Sequence, residues 1–328
     1  MFFGTYLTGA FGQSQEIYIV KNIEKRGNGS IEEIQQQIRK DTETIIKAQE
    51  NAGLDFIIDP AFWQYDLIQS LGNVPQVTRT KKHENWFDNN LFYQWVLQIN
   101  TPLPRVTGWL EKELPLDLLP TDGSFMAILP SPYSVITLCN ISGYQDKRSA
   151  IQDLAEVIKS EALHLISLGA GRIQYDEPAI VYKQSHHSLE REDLKLLQIA
   201  LDICGPLPGA STGLHTYFGN AEPLLPFLKN LPISCLGIDC RKTNLSSILQ
   251  HDFSGKELAL GLIDAGSTDP EAPEELVAQL EKVAEHCRPE KLWLTPTTGT
   301  EINGYTHGLN KLEILKETKR LFNEKKHR

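Results

Sequence analysis

The chain is poor in cysteine and has no paired ones. Cys139, Cys204, Cys235, Cys240 and Cys287 make an odd count of five, and no two stand in a C-x-x-C spacing. Reduced, packed thiols are expected rather than a disulfide framework. Long apolar runs are missing as well: none approaches the roughly 20 residues needed to span a bilayer. The opening MFFGTYLTGAFG is apolar, but it lacks a basic stretch and a cleavage signal, so it reads as a first strand and its loop. There is no basic excess. Acidic residues number 42 against 32 basic ones, a formal net charge of −10. That disfavours nucleic acid and anionic membranes, since both need Lys and Arg to displace counterions. A cytoplasmic protein acting on small molecules, or docking another protein, fits this profile.

What is present is a repeating pattern. Hydrophobic residues make up 41% of the 328, enough for one large core. Eight short apolar runs recur: FFGTYL (2–7), LDFIID (54–59), FMAILP (125–130), RIQYDEP (172–178), GLHTYFG (213–219), CLGIDC (235–240), LALGLID (258–264) and LWLTPTTG (292–299). Helix-like stretches lie between most of them. This is the sequence form of an α/β (β/α)8 TIM barrel, with residues 1–328 as a single barrel. The gap at 61–124 is too long for one crossover and predicts an elaborated loop, or lid, after strand two. It carries Trp63, Trp86, Trp95 and Trp109. These suit either a lid packed on the scaffold or an aromatic substrate or partner surface.

Helix signals are clearest at 31–52, where Ile31, Ile34, Ile38 and Ile45 follow a helical period. Ser30 and Glu33 form a capping box there, and Gly53 ends the helix. Further helices are expected at 148–168, 189–202, 221–229, 244–250, 273–287 and 309–326.

In such a barrel, function gathers where strands open into loops. The residues to interrogate are therefore Asp59, Asp176, Glu177, His215, Tyr217, Asp239, Asp264 and Thr298. Asp176-Glu177-Pro178 is the sharpest motif. Neighbours on a strand face opposite sides, so one carboxylate points into the mouth, to hold an amine or move a proton, while the other pairs elsewhere. A salt-bridged strand end is the bland alternative. His215 could be a metal ligand, an acid/base or a satisfied core histidine. Adjacent His186 and His187 diverge and read as loop residues. The segment TPTTGTEING could cradle an anion on backbone N–H groups, though it lacks the P-loop lysine.

In order, IQYDEPAI, GLHTYFG, LGIDCRKT, LALGLIDAGS and KLWLTPTTGTEIN resemble the C-terminal catalytic barrel of cobalamin-independent methionine synthase and its single-barrel relatives. NAGLDFIIDPAFWQYDLI resembles the second strand and loop of that superfamily. The resemblance implies a methyltransferase in methionine biosynthesis, with zinc activating the homocysteine thiolate. It also implies a methyl donor on reduced folate or on a corrinoid, the latter brought by a methyl-carrier protein.

The family's zinc ligands are a His-x-Cys pair, a Glu and a second Cys. Here His215 matches, Tyr217 and Thr298 stand at the cysteine positions, and Asp239 replaces the glutamate. The resemblance thus leaves His215 and Asp239 as metal residues, and zinc should bind weakly without thiolates. Asp176 matches the carboxylate that holds the homocysteine amine. Ala10 and Ala61 fall near a serine and a glutamate of the family; Asp264 matches, while Gly266 sits at a histidine position.

The leading expectation is a methyltransferase-related enzyme. His215, Asp176, Glu177 and Asp239 would be catalytic, and Asp176, Asp264, Asp59, Trp63 and Asp66 would bind substrate. A catalytically silent barrel that binds a ligand or partner through 61–110 is the alternative from another class. A metal-free lyase or decarboxylase, as in uroporphyrinogen decarboxylase-like barrels, is a third. Only Arg172 and Arg241 lie near the rims to serve its anionic substrate.

Overall fold

Parallel strands buried on both faces build the scaffold. The computed structural model describes residues 2–64, 66–82, 84–87 and 96–326. Its strands are β1 (Phe2–Thr5), β2 (Val77–Arg79), β3 (Leu97–Ile99), β4 (Phe125–Pro130), β5 (Asn140–Ile141), β6 (Ala170–Asp176), β7 (Ser211–Thr216), β8 (Cys235–Asp239), β9 (Glu257–Ile263) and β10 (Lys291–Pro296). Seven of these form one sheet in the order β1-β10-β9-β8-β7-β6-β4, all pairs parallel. Every residue of β8 and β9 is buried, as expected for strands covered by helices on one side and a core on the other. The register sets Pro130 beside Asp176 and Asp176 beside His215, so the C-terminal strand ends line up in a row.

The second apolar run, LDFIID, does not form a strand. Single parallel bridges join Tyr6 to Phe56 and Ile57 to Phe125. The next residue departs from ladder pairing because a side chain takes its backbone: Gln49 accepts from Ile58 N at 3.0 Å and donates to Ile58 O at 2.9 Å.

Helices cross between the strands where the periodicity predicts them. Ile31–Asn51 opens with the expected Ser30/Glu33 capping box. Lys147–Ser167 is capped by Asp146 and buries Ile151, Leu154, Ile158 and Leu165. Each such aliphatic side chain contributes roughly 1.5–3 kcal/mol on burial. Pro273–Cys287 and Tyr305–Lys326 complete the outer layer near the C-terminus. Three helices were not foreseen: Gln15–Lys25, Pro132–Leu138 and Pro178–His186. The last corrects the loop reading of the histidine pair. His186 ends that helix, its ring stacked on Tyr182 at 4.5 Å, and His187 is the C-cap. None of the described helices is long and apolar enough to cross a membrane.

The long 61–124 segment contains short structure of its own. β2 pairs antiparallel with β3, and β3 pairs parallel with β5, making a small separate sheet. Glu161, on the helix Lys147–Ser167, pins this segment from below. Its carboxylate accepts the backbone N–H groups of Trp109 at 3.1 Å and Leu110 at 2.8 Å. Trp109 is buried, Trp63 and Trp86 are half-buried against the core, and Trp95 lies outside the described residues.

At the N-terminal strand ends, a charge is buried in the middle of the sheet. The Arg172 guanidinium lies over the rings of Trp293 (4.4 Å to the centroid) and Phe56 (4.5 Å) and pairs with Glu257. Glu257 also takes Trp293 Nε1 at 2.9 Å and Lys291 Nζ at 2.8 Å.

Candidate active site

At the opposite strand ends lies a cavity of about 320 Å3. Loops that follow β1, β7 and β10 wall it, together with β4 and the segment around Asp59. Leu110 and Leu114 of the long insertion line it too. Four carboxylates face this enclosure: Asp59, Asp66, Asp176 and Glu301.

Asp176, the last residue of β6, is 3% exposed. Gln174 Nε2 donates to its Oδ1 at 2.8 Å and Tyr217 OH to its Oδ2 at 3.3 Å. Both donors are neutral. Burial therefore dominates and pushes the carboxyl up to about 7, the two hydrogen bonds pulling only partway back. Asp59 is 8% exposed and accepts Trp63 Nε1 on Oδ2 at 2.9 Å, while its Oδ1 has no hydrogen-bond partner. Burial raises it to about 6. Asp66 accepts the N–H of Ile68 at 2.9 Å and is likewise raised by burial to about 6.

Glu301 is the cavity residue that sequence reasoning missed. Burial, with the nearby charge of Asp176, lifts it to about 7, and its Oε2 has no hydrogen-bond partner. A Cβ on Gly299 would lie 2.0 Å from that oxygen, so only glycine leaves room for it. The signal was in plain view: Glu301 is the one charged residue of TPTTGTEING. That corrects the anion-cradle reading, since the loop presents a carboxylate to the cavity.

Other expected site residues are placed elsewhere. Glu177 turns away from the cavity and caps the helix Pro178–His186. Its Oε1 accepts Ile180 N at 2.9 Å and Ser134 Oγ at 2.8 Å. Asp239 closes its own loop, accepting the N–H groups of Arg241 at 2.8 Å, Lys242 at 3.2 Å and Phe218 at 3.4 Å. Asp264 accepts Gly266 N at 2.8 Å and Arg241 Nε at 3.0 Å, outside the cavity wall.

His215 sits one layer behind Tyr217, ring centroids 5.6 Å apart, and does not line the cavity. Its Nε2 lies 2.9 Å from the Thr297 carbonyl, so that nitrogen carries the proton. Its Nδ1 is buried without a partner, packed where Gly237 has no side chain. Burial lowers its pKa to about 4, so the ring is neutral at pH 7. Tyr217 and Thr298 do line the cavity.

The match to known proteins follows this geometry. The family model for the cobalamin-independent synthase catalytic domain matches residues 3–319. The chain belongs to this family. A methionine synthase of Pyrococcus horikoshii is 22% identical over 314 residues, 94% of this chain and 89% of that relative. One of Saccharolobus islandicus is 28% identical over 177 residues, which is 53% of this chain and only 51% of that relative.

Two solved structures share the fold of this family member. A B12-independent methionine synthase from Shewanella sp. W3-18-1, in complex with selenomethionine, has a TM-score of 0.70 at 19% identity, covering 91% of each chain. A putative vitamin-B12 independent methionine synthase from Listeria monocytogenes has a TM-score of 0.74 at 16% identity, covering 97% of this chain and 96% of its own.

The zinc implied by the family does not fit the residues present. His215 offers one nitrogen to a carbonyl and aims the other at Gly237. Asp239 spends both oxygens on backbone N–H groups. Among the described residues no group of three His, Cys, Asp or Glu side chains could hold a metal ion. The hydroxyls of Tyr217 and Thr298 do not replace thiolates.

Proposed function

We propose that this chain is a methyltransferase-related enzyme on a closed (β/α)8 barrel, with Asp176 holding the cationic group of a small-molecule substrate. Closure is supported by the two parallel bridges: residues 56–57 reach β1 on one side and β4 on the other, supplying the eighth strand position. The 61–124 insertion is then a lid whose Leu110 and Leu114 reach the cavity.

One observation carries the functional reading. Asp176 is a buried carboxylate at a strand end, it faces the cavity, and its hydrogen bonds among the described residues come from uncharged donors. No described residue lining the cavity is a cation, so a ligand amine is the natural counter-charge. Asp176 and Glu301, both raised to about 7, can also take up or release a proton beside the bound molecule at neutral pH. Tyr217 orients Asp176 and occupies the place where the family has a soft metal ligand. Substrate activation here therefore runs through hydrogen bonding and charge.

The test is calorimetric titration of the full chain with L-methionine and L-homocysteine, in parallel with Asp176→Asn. Methyl transfer is followed by mass spectrometry with 5-methyltetrahydrofolate or methylcobalamin as donor. Binding lost in the variant, by about ten-fold or more, supports the reading. Unchanged binding in the variant refutes the role of Asp176. Binding without turnover favours the catalytically silent barrel.

A further inference from the structure

We infer that Leu110 and Leu114 determine specificity by setting how long an apolar substituent the substrate can carry, and that Glu161, behind the cavity wall, is the positioning residue that fixes them. The inference rests on the reading above that the cavity is the substrate site, and it assigns the element that measures the substrate there.

The wall is held by named contacts. Glu161 is buried on the helix Lys147–Ser167, and its carboxylate accepts three successive N–H groups: Trp109 at 3.1 Å, Leu110 at 2.8 Å and Glu111 at 3.3 Å. Free N–H groups converge in this way where a helical turn begins, and these open the 3-10 turn Glu111–Glu113. One turn further along the same helix, His164 Nε2 meets Glu111 Oε2 at 2.6 Å. From the turn Gln69–Asn73, Asn73 Nδ2 donates to Trp109 O at 3.1 Å and to Glu113 Oε1 at 2.7 Å. Gly108, at φ 74°, bends the chain into this grip, and a Cβ there would stand 3.1 Å from Glu111 Oε2. Residues 109–113 are therefore tied down on two sides, and Leu110 and Leu114 meet the cavity from a fixed backbone.

Two further facts make these leucines a gauge. The cavity of about 320 Å3 lies at the low end of ligand pockets, which span roughly 300–1,000 Å3, so a few carbon atoms decide what fits. Asp176 holds the cationic group in the proposed function, which leaves the apolar end of the substrate to the aliphatic walls. Leu110 and Leu114 are the part of those walls that the insertion supplies through the grip of Glu161. Cutting either to alanine removes an isopropyl group and opens that volume to a longer ligand.

A length series tests this. L-methionine, L-ethionine and S-butyl-L-homocysteine share one skeleton and differ only in the S-alkyl group. The full chain is titrated calorimetrically with each. Affinity is expected to fall by about ten-fold or more from methyl to butyl, as a few methylenes in an enclosed pocket can impose. Leu110→Ala and Leu114→Ala should each raise butyl affinity by about ten-fold relative to methyl. Glu161→Gln replaces one accepting oxygen by a donor, and should shift the same ratio by about five-fold or more. A merely structural role for Glu161 would lower the melting temperature and leave the ratio unmoved. An unchanged ratio in all three variants overturns the inference, as does a parent that binds butyl as tightly as methyl. Both outcomes leave the proposed function standing, because L-methionine still binds. Silence from all three probes on a protein that melts cooperatively removes both. Should an alanine variant fail to fold, Leu110→Val and Leu114→Val put the same question with a smaller truncation.

Discussion

The two ends of the parallel strands bury carboxylates under opposite conditions. At the N-terminal end, Glu257 is met by Arg172, Lys291 and the indole N–H of Trp293, and Arg172 has Ser211 Oγ at 2.9 Å besides. At the C-terminal end, among the described residues, Asp176 has neutral donors alone, and Asp59 and Glu301 each keep an unpartnered oxygen. At the N-terminal end the chain supplies its buried carboxylate with cations. At the C-terminal end the cavity carboxylates have none among the described residues, which leaves room for a ligand's charge. A different contrast, of saturated against unsaturated acceptors, separates Glu177 from Asp176. Glu177 is fully occupied by a helix N-terminus and Ser134, while its neighbour opens on the cavity.

The comparison can be broken most forcibly at the N-terminal end. Arg172→Leu leaves Glu257 to Lys291 and the Trp293 indole N–H and should cost about 3 kcal/mol in urea unfolding. A loss below about 1 kcal/mol would mean that the two ends do not differ in this way. Next comes Gly299→Ala, whose methyl would collide with Glu301 Oε2 and with Ala10 N, 2.0 and 2.6 Å from the built Cβ. It should cost about 1–3 kcal/mol, as read by thermal melts.

Asp176→Asn should act in the other direction. The folded carboxyl, near 7, binds a proton that the unfolded chain has released above its ordinary value of 3.8. Stability contributed by this group is therefore complete at low pH and is lost as pH rises through 7. The variant lacks that loss. It should be more stable than the parent at pH 8 by an amount on the order of 1 kcal/mol, with the gain shrinking as pH falls below 7 and vanishing below about pH 4. The smallest effect is expected for Arg241→Ala. Its side chain is 63% exposed and its partner Asp264 stands outside the cavity, so stability should change by under about 1 kcal/mol and ligand affinity hardly at all. A large drop in affinity would return Asp264 to the site.

Much of this contrast was legible in the sequence, at the level of strand ends. Asp59, Asp176, Tyr217 and Thr298, which the apolar runs single out at their ends, line the cavity, because the ends of apolar runs and side-chain alternation are local properties. The capping box at Ser30 was readable for the same reason. Orientation beyond the strand was not. His215 is fixed by the Thr297 carbonyl and by the bare Cα of Gly237, 82 and 22 residues away in sequence, and no local spacing encodes either. Asp239 looked like a ligand because it ends a strand, yet the loop that follows folds back to use its oxygens. The helix after Asp176 starts directly at the strand's end with Pro178 and reads as a continuation of the loop, which hid the capping duty of Glu177. Glu301 faces the cavity only because a 3-10 turn at Thr300–Asn303 brings it back beneath the loop after β1.

The central claim is that Asp59, Asp176 and Glu301 stand without counter-charge among the described residues of the free protein. Carbon-13 NMR titration of the side-chain carboxyls, with Asp176 assigned through Asp176→Asn, reads this directly. The account predicts a midpoint for Asp176 near 7, falling on addition of a bound amine. A midpoint at or below the ordinary aspartate value of about 4 in the free protein would contradict it.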